Sequence, residues 1–183
     1  MPKISVVNSE NELITALKGG EENAYTEVLN LHKQQISKTV VGMLGSVPEA
    51  EDVAQEVFIR FFRNIANFKG DSKIATYLTR IAINLSLNEI EKRKRKWKVF
   101  YSGDYAEEKI TAASVVLYEE DDRIDLLKRA TLRLEKKYRE VVVLRASQGY
   151  SFKEIAEIIQ VPIGTVLTRY SRAQKKLIKM LNS

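Results

Sequence analysis

Apolar residues recur along this chain at spacings of three and four, the period of helices that bury one face. Ser9 can cap a short helix carrying Leu13, Ala16 and Leu17, stopped by Gly19 and Gly20. A second helix, from about Glu21 to Leu44, carries Ala24, Tyr25, Val28, Leu29, Ile36, Val40, Met43 and Leu44, and Gly45 ends it. Pro48 suits the first turn of a third helix, where its missing N–H is no loss. Glu49, Glu51 and Asp52 then lie near the positive end of the helix dipole. That helix presents Val53, Val57, Phe58, Phe61, Phe62 and Ile65. Residues 67–71 form a loop. Asp71 or Ser72 is the expected cap of a fourth helix, with Ile74, Tyr77, Leu78, Ile81, Ala82 and Leu85 on one face, running out into the basic run 92–96.

The period fades between Lys98 and about Glu119, then returns. Leu126, Leu127, Ala130 and Leu134 mark one helix; Val141, Val142, Val143 and Leu144 mark the next, stopped near Gly149. Ser151 and Glu154 stand three apart as a capping box before Ile155, Ala156, Ile158 and Ile159. Residues 160–164 read as a turn, and a last helix is expected from Thr165 to about Leu181. The pattern predicts an all-α protein. Two small helical domains, residues 1–97 and 123–183, are joined by a flexible acidic linker at 98–122.

Composition narrows the chemistry. The chain has 183 residues and no cysteine, which excludes disulfides, thiolate metal sites and a cysteine nucleophile. His32 is the sole histidine and a structural role is expected for it. No glycine-rich phosphate loop follows a strand, so Gly19, Gly20, Gly42 and Gly45 read as stops and packing points. Neither a metal site nor a cofactor is expected, and the inventory is thin for catalysis. No apolar run approaches the ~18 residues of a membrane span, and the first residues lack the apolar core of a signal peptide. A cytoplasmic protein is the expectation.

The net charge of +6 is unevenly placed. Residues 1–91 hold 9 basic and 12 acidic residues; 92–98 hold 6 basic and none acidic. Residues 99–122 hold 1 basic and 7 acidic, and 123–183 hold 14 basic and 5 acidic. A basic C-terminal unit points to a polyanion, nucleic acid before an anionic membrane. In the linker, Asp104, Glu107, Glu108, Glu119, Glu120, Asp121 and Asp122 either mimic RNA phosphates in a basic channel or merely keep the linker extended.

The strongest local signal is at 151–176, a short helix, a turn and a longer helix with the spacing of a helix-turn-helix. Leu167, Thr168, Ser171, Arg172 and Lys175 share an outward face on the second helix, and hydroxyls and arginine suit base edges. The fourth helix carries a second basic site, with Arg80, Asn84, Asn88 and the run 92–96 beside Tyr77, Trp97 and the preceding Phe68. Cations interleaved with aromatics suit unpaired bases, although Tyr77 at helical spacing from Ile74 and Ile81 fits a core equally well. On the third helix Glu49, Glu51, Asp52, Gln55, Glu56, Arg60 and Arg63 form polar faces, either plain solvated surface or a dock for another protein's basic helices.

At this point the residues resemble a known family, the extracytoplasmic-function (ECF) sigma factors, over nearly the whole chain. EDVAQEVF, FKGDS, RIAINL and EIAEII…GTV occur in that family's order. The resemblance implies a transcription initiation factor without enzymatic activity, which directs bacterial core RNA polymerase to promoters and aids their melting. It implies that Asp52, Gln55, Glu56 and Phe58 bind the β′ clamp helices of core polymerase. Phe68, Lys69, Gly70, Asp71 and Ser72 fall on the loop that pockets a flipped −10 base. Tyr77, Arg80, Asn84 and Asn88 fall on the −10 helix. Thr165, Thr168, Arg169, Ser171, Arg172 and Lys175 fall on the −35 recognition helix. Implied partners are the β flap, promoter DNA and an anti-sigma factor. Tyr77 stands where tryptophan is usual, Asn88 where aspartate is common, Glu135 where proline is frequent, and Leu167 where a cation is common. The competing function is a helix-turn-helix regulator acting without polymerase. A nucleic-acid-cleaving enzyme, a further alternative, lacks a clustered carboxylate site.

Overall fold

A computed structural model describes residues 10–100 and 122–182, and every regular element among them is helical. The N-terminal unit comprises α1 (Glu10–Lys18), α2 (Glu22–Leu44), α3 (Pro48–Arg63), a 3₁₀ turn (Ile65–Asn67) and α4 (Ile74–Phe100). The C-terminal unit comprises α5 (Asp122–Arg133), α6 (Lys136–Val142), α7 (Phe152–Ile159) and α8 (Ile163–Leu181). A π-helical turn over Val143–Ser147 extends α6. Of the expected acidic linker, residues 98–100 continue α4 and Asp122 opens α5, while residues 101–121, with the expected flexibility and phosphate mimicry, and the Ser9 cap lie outside the described residues.

Local chemistry accounts for most helix ends. Pro48 occupies the first turn of α3, with Glu49 and Glu51 beside it. The Ser151–Glu154 box is complete. The Glu154 amide donates to Ser151 Oγ at 3.3 Å, and the Ser151 amide donates to the Glu154 carboxylate at 2.8 Å. Gln160 turns the chain out of α7 in the left-handed region, φ 55°. Pro162 then sets the entry to α8, which begins at Ile163, ahead of the expected Thr165.

At α4 the local expectation of an Asp71 or Ser72 cap gives way to a distant one. The amide of Ile74 donates to the carboxylate of Glu10, 2.5 Å away on α1. A carboxylate there satisfies an orphan donor and complements the dipole, whichever part of the chain delivers it.

The two units share a core. Val28, Val40, Phe61 and Leu78 from the first and Val141, Leu144, Ile155 and Val166 from the second belong to one continuous apolar cluster. A smaller cluster, Ala130, Leu134, Tyr138, Val142, Ala173 and Leu177, lies within the C-terminal unit. On α5 Ala130 and Thr131 turn inward. Leu126 and Leu127, expected on its buried face, are exposed. Arg139 ties the units together from within. Its guanidinium donates to the carbonyls of Met43 at 2.8 Å, Leu134 at 3.1 Å and Leu132. Burial lowers its pKa to about 10, so it stays charged at neutral pH.

Candidate nucleic-acid and polymerase interfaces

The helix-turn-helix is built as the spacing predicts. On α8, Val166, Ala173 and Leu177 face the core, and Val161 packs against the same cluster across the turn from Val166. Opposite them Thr168, Ser171, Arg172 and Lys175 are exposed. Thr168 Oγ1 donates to the Gly164 carbonyl at 2.9 Å within the helix, which fixes its rotamer while leaving lone pairs outward. Leu167 is 46% exposed and Ile163 49% exposed, an apolar pair one turn apart on the flank of this face. Leu167 was legible in the sequence; Ile163 was not, because it was read as part of the turn.

Of the expected −35 residues, Arg169 is engaged elsewhere and Thr165 is partly covered. Arg169 is half-buried and donates to Glu140 of α6 at 2.6 Å. It braces α8 against α6, and burial pushes the Glu140 carboxyl up to about 7 despite that partner. Thr165, in the first turn of α8, is half-buried.

The −10 group divides in the same way. Lys69, Gly70, Asp71 and Asn84 are exposed and Ser72 is half-buried. Gly70 has φ +78°, so the loop needs glycine there. Phe68 is 6% exposed. It packs against Tyr77 and Phe61 with ring centroids 5.0 and 6.1 Å away, so Phe68 belongs to the core, with half-buried Tyr77 against it. Of the two alternatives the sequence left open for these aromatics, the core holds Phe68, because a ring wedged between α3 and α4 gains more by burial than by standing in water, and Tyr77 is only partly drawn in. Asn88 is exposed. In the basic run, Lys92 and Arg93 pair with Glu89, Arg93 also reaches Glu49 at 3.3 Å, and Arg95 and Lys96 stay exposed.

Arg80 is covered. Its Nε donates to the Ile158 carbonyl at 3.2 Å and its Nη2 to the Glu157 carbonyl at 3.0 Å. These acceptors are at the end of α7, so an N-terminal-unit arginine caps a C-terminal-unit helix. Beside it the Tyr150 hydroxyl lies 3.0 Å from Thr79 Oγ1 and accepts from Gln35 Nε2, and burial pushes the Tyr150 phenol up. An open cleft next to the loop is lined by Glu10, Asn11, Ile14, residues 70–73 and, from α7, Glu157.

On α3, Asp52 and Gln55 are exposed and Glu56 is half-buried, holding Arg60 at 2.7 Å. Phe58, 7% exposed, lies in the core. Ile59, 42% exposed, is the apolar residue of this face, and its spacing, seven after Asp52 and four after Gln55, is the signal in the sequence that marks it. His32 is half-buried and beside Gln35, and burial lowers its pKa. Among the described residues no cluster of three His, Cys, Asp or Glu could hold a metal ion, and no helix is long and apolar enough to cross a membrane.

Residues 28–96 match the family model for Sigma-70 region 2, and residues 124–177 match that for Sigma-70, region 4. Over 179 residues the chain is 36% identical to the ECF RNA polymerase sigma factor SigW of Bacillus subtilis, covering 92% of this chain and 94% of that protein. It is 31% identical over 182 residues to the RNA polymerase sigma-H factor of Pseudomonas aeruginosa, covering 94% and 93%. Among solved structures, the sigma factor RpoE bound to the anti-sigma factor NepR, from Bartonella quintana, superposes with a TM-score of 0.71 at 22% identity, over 86% of this chain and 96% of that one. CnrH in complex with the cytosolic domain of CnrY gives 0.69 at 19% identity, over 94% and 97%. These two share the fold.

Proposed function

The chain belongs to the ECF sigma factors, polymerase-binding promoter-specificity factors of the sigma-70 family, and we propose how its own residues divide that work. The observation that carries the proposal is the row Thr168, Ser171, Arg172 and Lys175, exposed opposite the buried Val166, Ala173 and Leu177. A capped helix-turn-helix with that row lays α8 in the major groove of the −35 element. Arg172 bonds a base edge there, and Lys175 holds phosphate. Arg169 positions the helix through Glu140. Lys69, Gly70, Asp71 and Ser72, with Arg80, Asn84 and Asn88, take the −10 strand, Tyr77 and Phe68 supporting the loop from beneath. Asp52, Gln55, Glu56 and Ile59 dock on the β′ clamp helices, and the exposed apolar residues of the C-terminal unit are available to the β flap.

The protein acts in the cytoplasm, with no chemistry of its own and no cofactor, and is held in check by an anti-sigma factor. Two neighbours of the same fold, RpoE and CnrH, were solved with NepR and with the cytosolic domain of CnrY.

Run-off transcription with core polymerase on a promoter library tests the division of labour. Specific transcripts are expected only when the chain is added. Asp52→Lys should weaken core binding, a charge pair at an interface carrying about 1.5–7 kcal/mol of coupling. Wild-type core affinity in that variant would place the dock elsewhere, and operator binding that never needs polymerase would favour the independent regulator.

A further inference from the structure

The loop assigned above to the −10 element leans on α1. The cap position of α4 belongs to Lys73, whose carbonyl accepts the first helical bond, from the Tyr77 amide at 3.0 Å. A lysine side chain has three donors and no acceptor, so it cannot satisfy the orphan amides of its own helix. The acceptor comes from Glu10, 64 positions earlier, whose carboxylate takes the Ile74 amide at 2.5 Å. One turn further along α1, the buried Ile14 meets the bend of the loop. A Cβ on Gly70 would lie 3.8 Å from Ile14 Cδ1, an ordinary van der Waals distance, and Gly70 itself has φ +78°. Residues 70–74 are thus held by α1 at both ends, through an apolar contact at the bend and a charge-assisted bond at the helix start.

This division of labour bears on the reading of a base. A side chain that caps a helix has its oxygen spent on the backbone. Here Glu10 does the capping, and Asp71 and Ser72 line the cleft beside the loop, Asp71 exposed and Ser72 half-buried. A carboxylate accepts from the exocyclic amine of a base, and a hydroxyl donates or accepts. Glu10 lines the same cleft, where a loose carboxylate would repel a phosphate strand. The Ile74 amide and the positive end of α4 hold it instead.

We infer that α1 sets −10 specificity from outside the loop: Glu10 is a positioning residue that fixes the start of α4 and leaves Asp71 and Ser72 to the DNA base. The inference rests on the proposed −10 role of the loop. Without Glu10, the orphan amides of α4 draw Asp71 or Ser72 back as local caps, and the loop loses both its shape and its acceptors.

The test is run-off transcription by core polymerase carrying the full-length chain. One promoter library is randomised at the −10 element behind a fixed −35 element, and the converse library serves as control. Glu10→Ala should flatten the −10 base preference by about 2- to 30-fold, the factor a lost helix cap carries, with −35 preference unchanged. Glu10→Gln, whose amide oxygen still accepts, should keep the wild-type preference. Glu10→Asp keeps the charge but is one methylene short, and should behave as Glu10→Ala does. Wild-type −10 preference in Glu10→Ala overturns the inference. So does a loss spread equally over both elements, which would make Glu10 a general support of the fold. If Glu10→Ala does not fold, Glu10→Asp decides by the same two readings. Preference kept in Glu10→Asp and lost in Glu10→Gln would mean that charge alone acts, and overturns the positioning role. The loop itself is judged separately. Unaltered −10 preference in both Asp71→Ala and Ser72→Ala removes its reading of the base. If those variants shift the preference and the Glu10 variants do not, the loop reads the base and α1 has no part in it.

Discussion

The helices α4 and α8 are both amphipathic and both carry arginine and lysine on a polar face, yet the fold engages their cations differently. On α8 the row from Thr168 to Lys175 faces solvent. On α4, Arg80 caps α7, Lys92 and Arg93 are held by Glu89, and Glu49 takes a second bond from Arg93. The difference teaches that a basic helix is ready for nucleic acid only when its cations have no better partner in the fold. Buried or half-buried acceptors compete well, since a charge-assisted bond in a low dielectric outweighs one in water.

The largest expected break of this contrast is Arg139→Met. It strands the carbonyls of Met43, Leu132 and Leu134. Each buried acceptor left alone costs on the order of 1–3 kcal/mol, so a loss of at least about 3 kcal/mol is expected. In urea the two units should then unfold in separate transitions; a single transition at the wild-type midpoint would show that Arg139 does not join them.

Arginine truncation on the two helices sharpens the contrast next. Arg172→Ala should cost the free protein about 1–3 kcal/mol on a −35 duplex, concentrated at one base pair. Arg80→Ala should leave that duplex affinity unchanged and act only in the holoenzyme. Equal losses across all −35 sequences would move Arg172 from base to phosphate.

A smaller effect belongs to the cap of α7. Ser151→Ala removes an N-cap worth about 1 kcal/mol and should loosen the C-terminal unit first, seen as faster amide exchange in α7 than in α4. Equal exchange in both would mean that the shared core, not the cap, sets the stability of α7.

The smallest is a pH dependence. Burial pushes Glu140 from 4.5 up to about 7. Between those values the folded chain binds the proton more tightly than the unfolded chain, so stability is fullest below 4.5 and falls as pH rises through about 7. Glu140→Gln should flatten that fall in melts across the window. A wild-type stability that rises instead would mean that Arg169 outweighs burial.

Much of this was legible in order along the chain. The Ser151–Glu154 box, Pro48 at the start of α3 and the α7–turn–α8 spacing are local devices, and the structure forms each one. The family motifs are equally local. Less was legible wherever one residue had two plausible fates. Phe58 and Phe68 match motif positions, but both rings are core. Arg169 lies on the recognition helix by sequence, but Glu140, 29 positions earlier, claims it.

The sequence by itself determined the helices, the helix-turn-helix, the family and the uneven charge, because each follows from spacings within a few turns of chain. Only the tertiary structure decided that Glu10 meets the start of α4, that Gly42 makes room for Val143, and that Arg80 spends its donors on α7. Those partners lie 64 to 101 residues apart, beyond any helical period. Which cation faces DNA and which faces protein is settled by the packing of distant surfaces, where burial and unpaired carbonyls decide the competition.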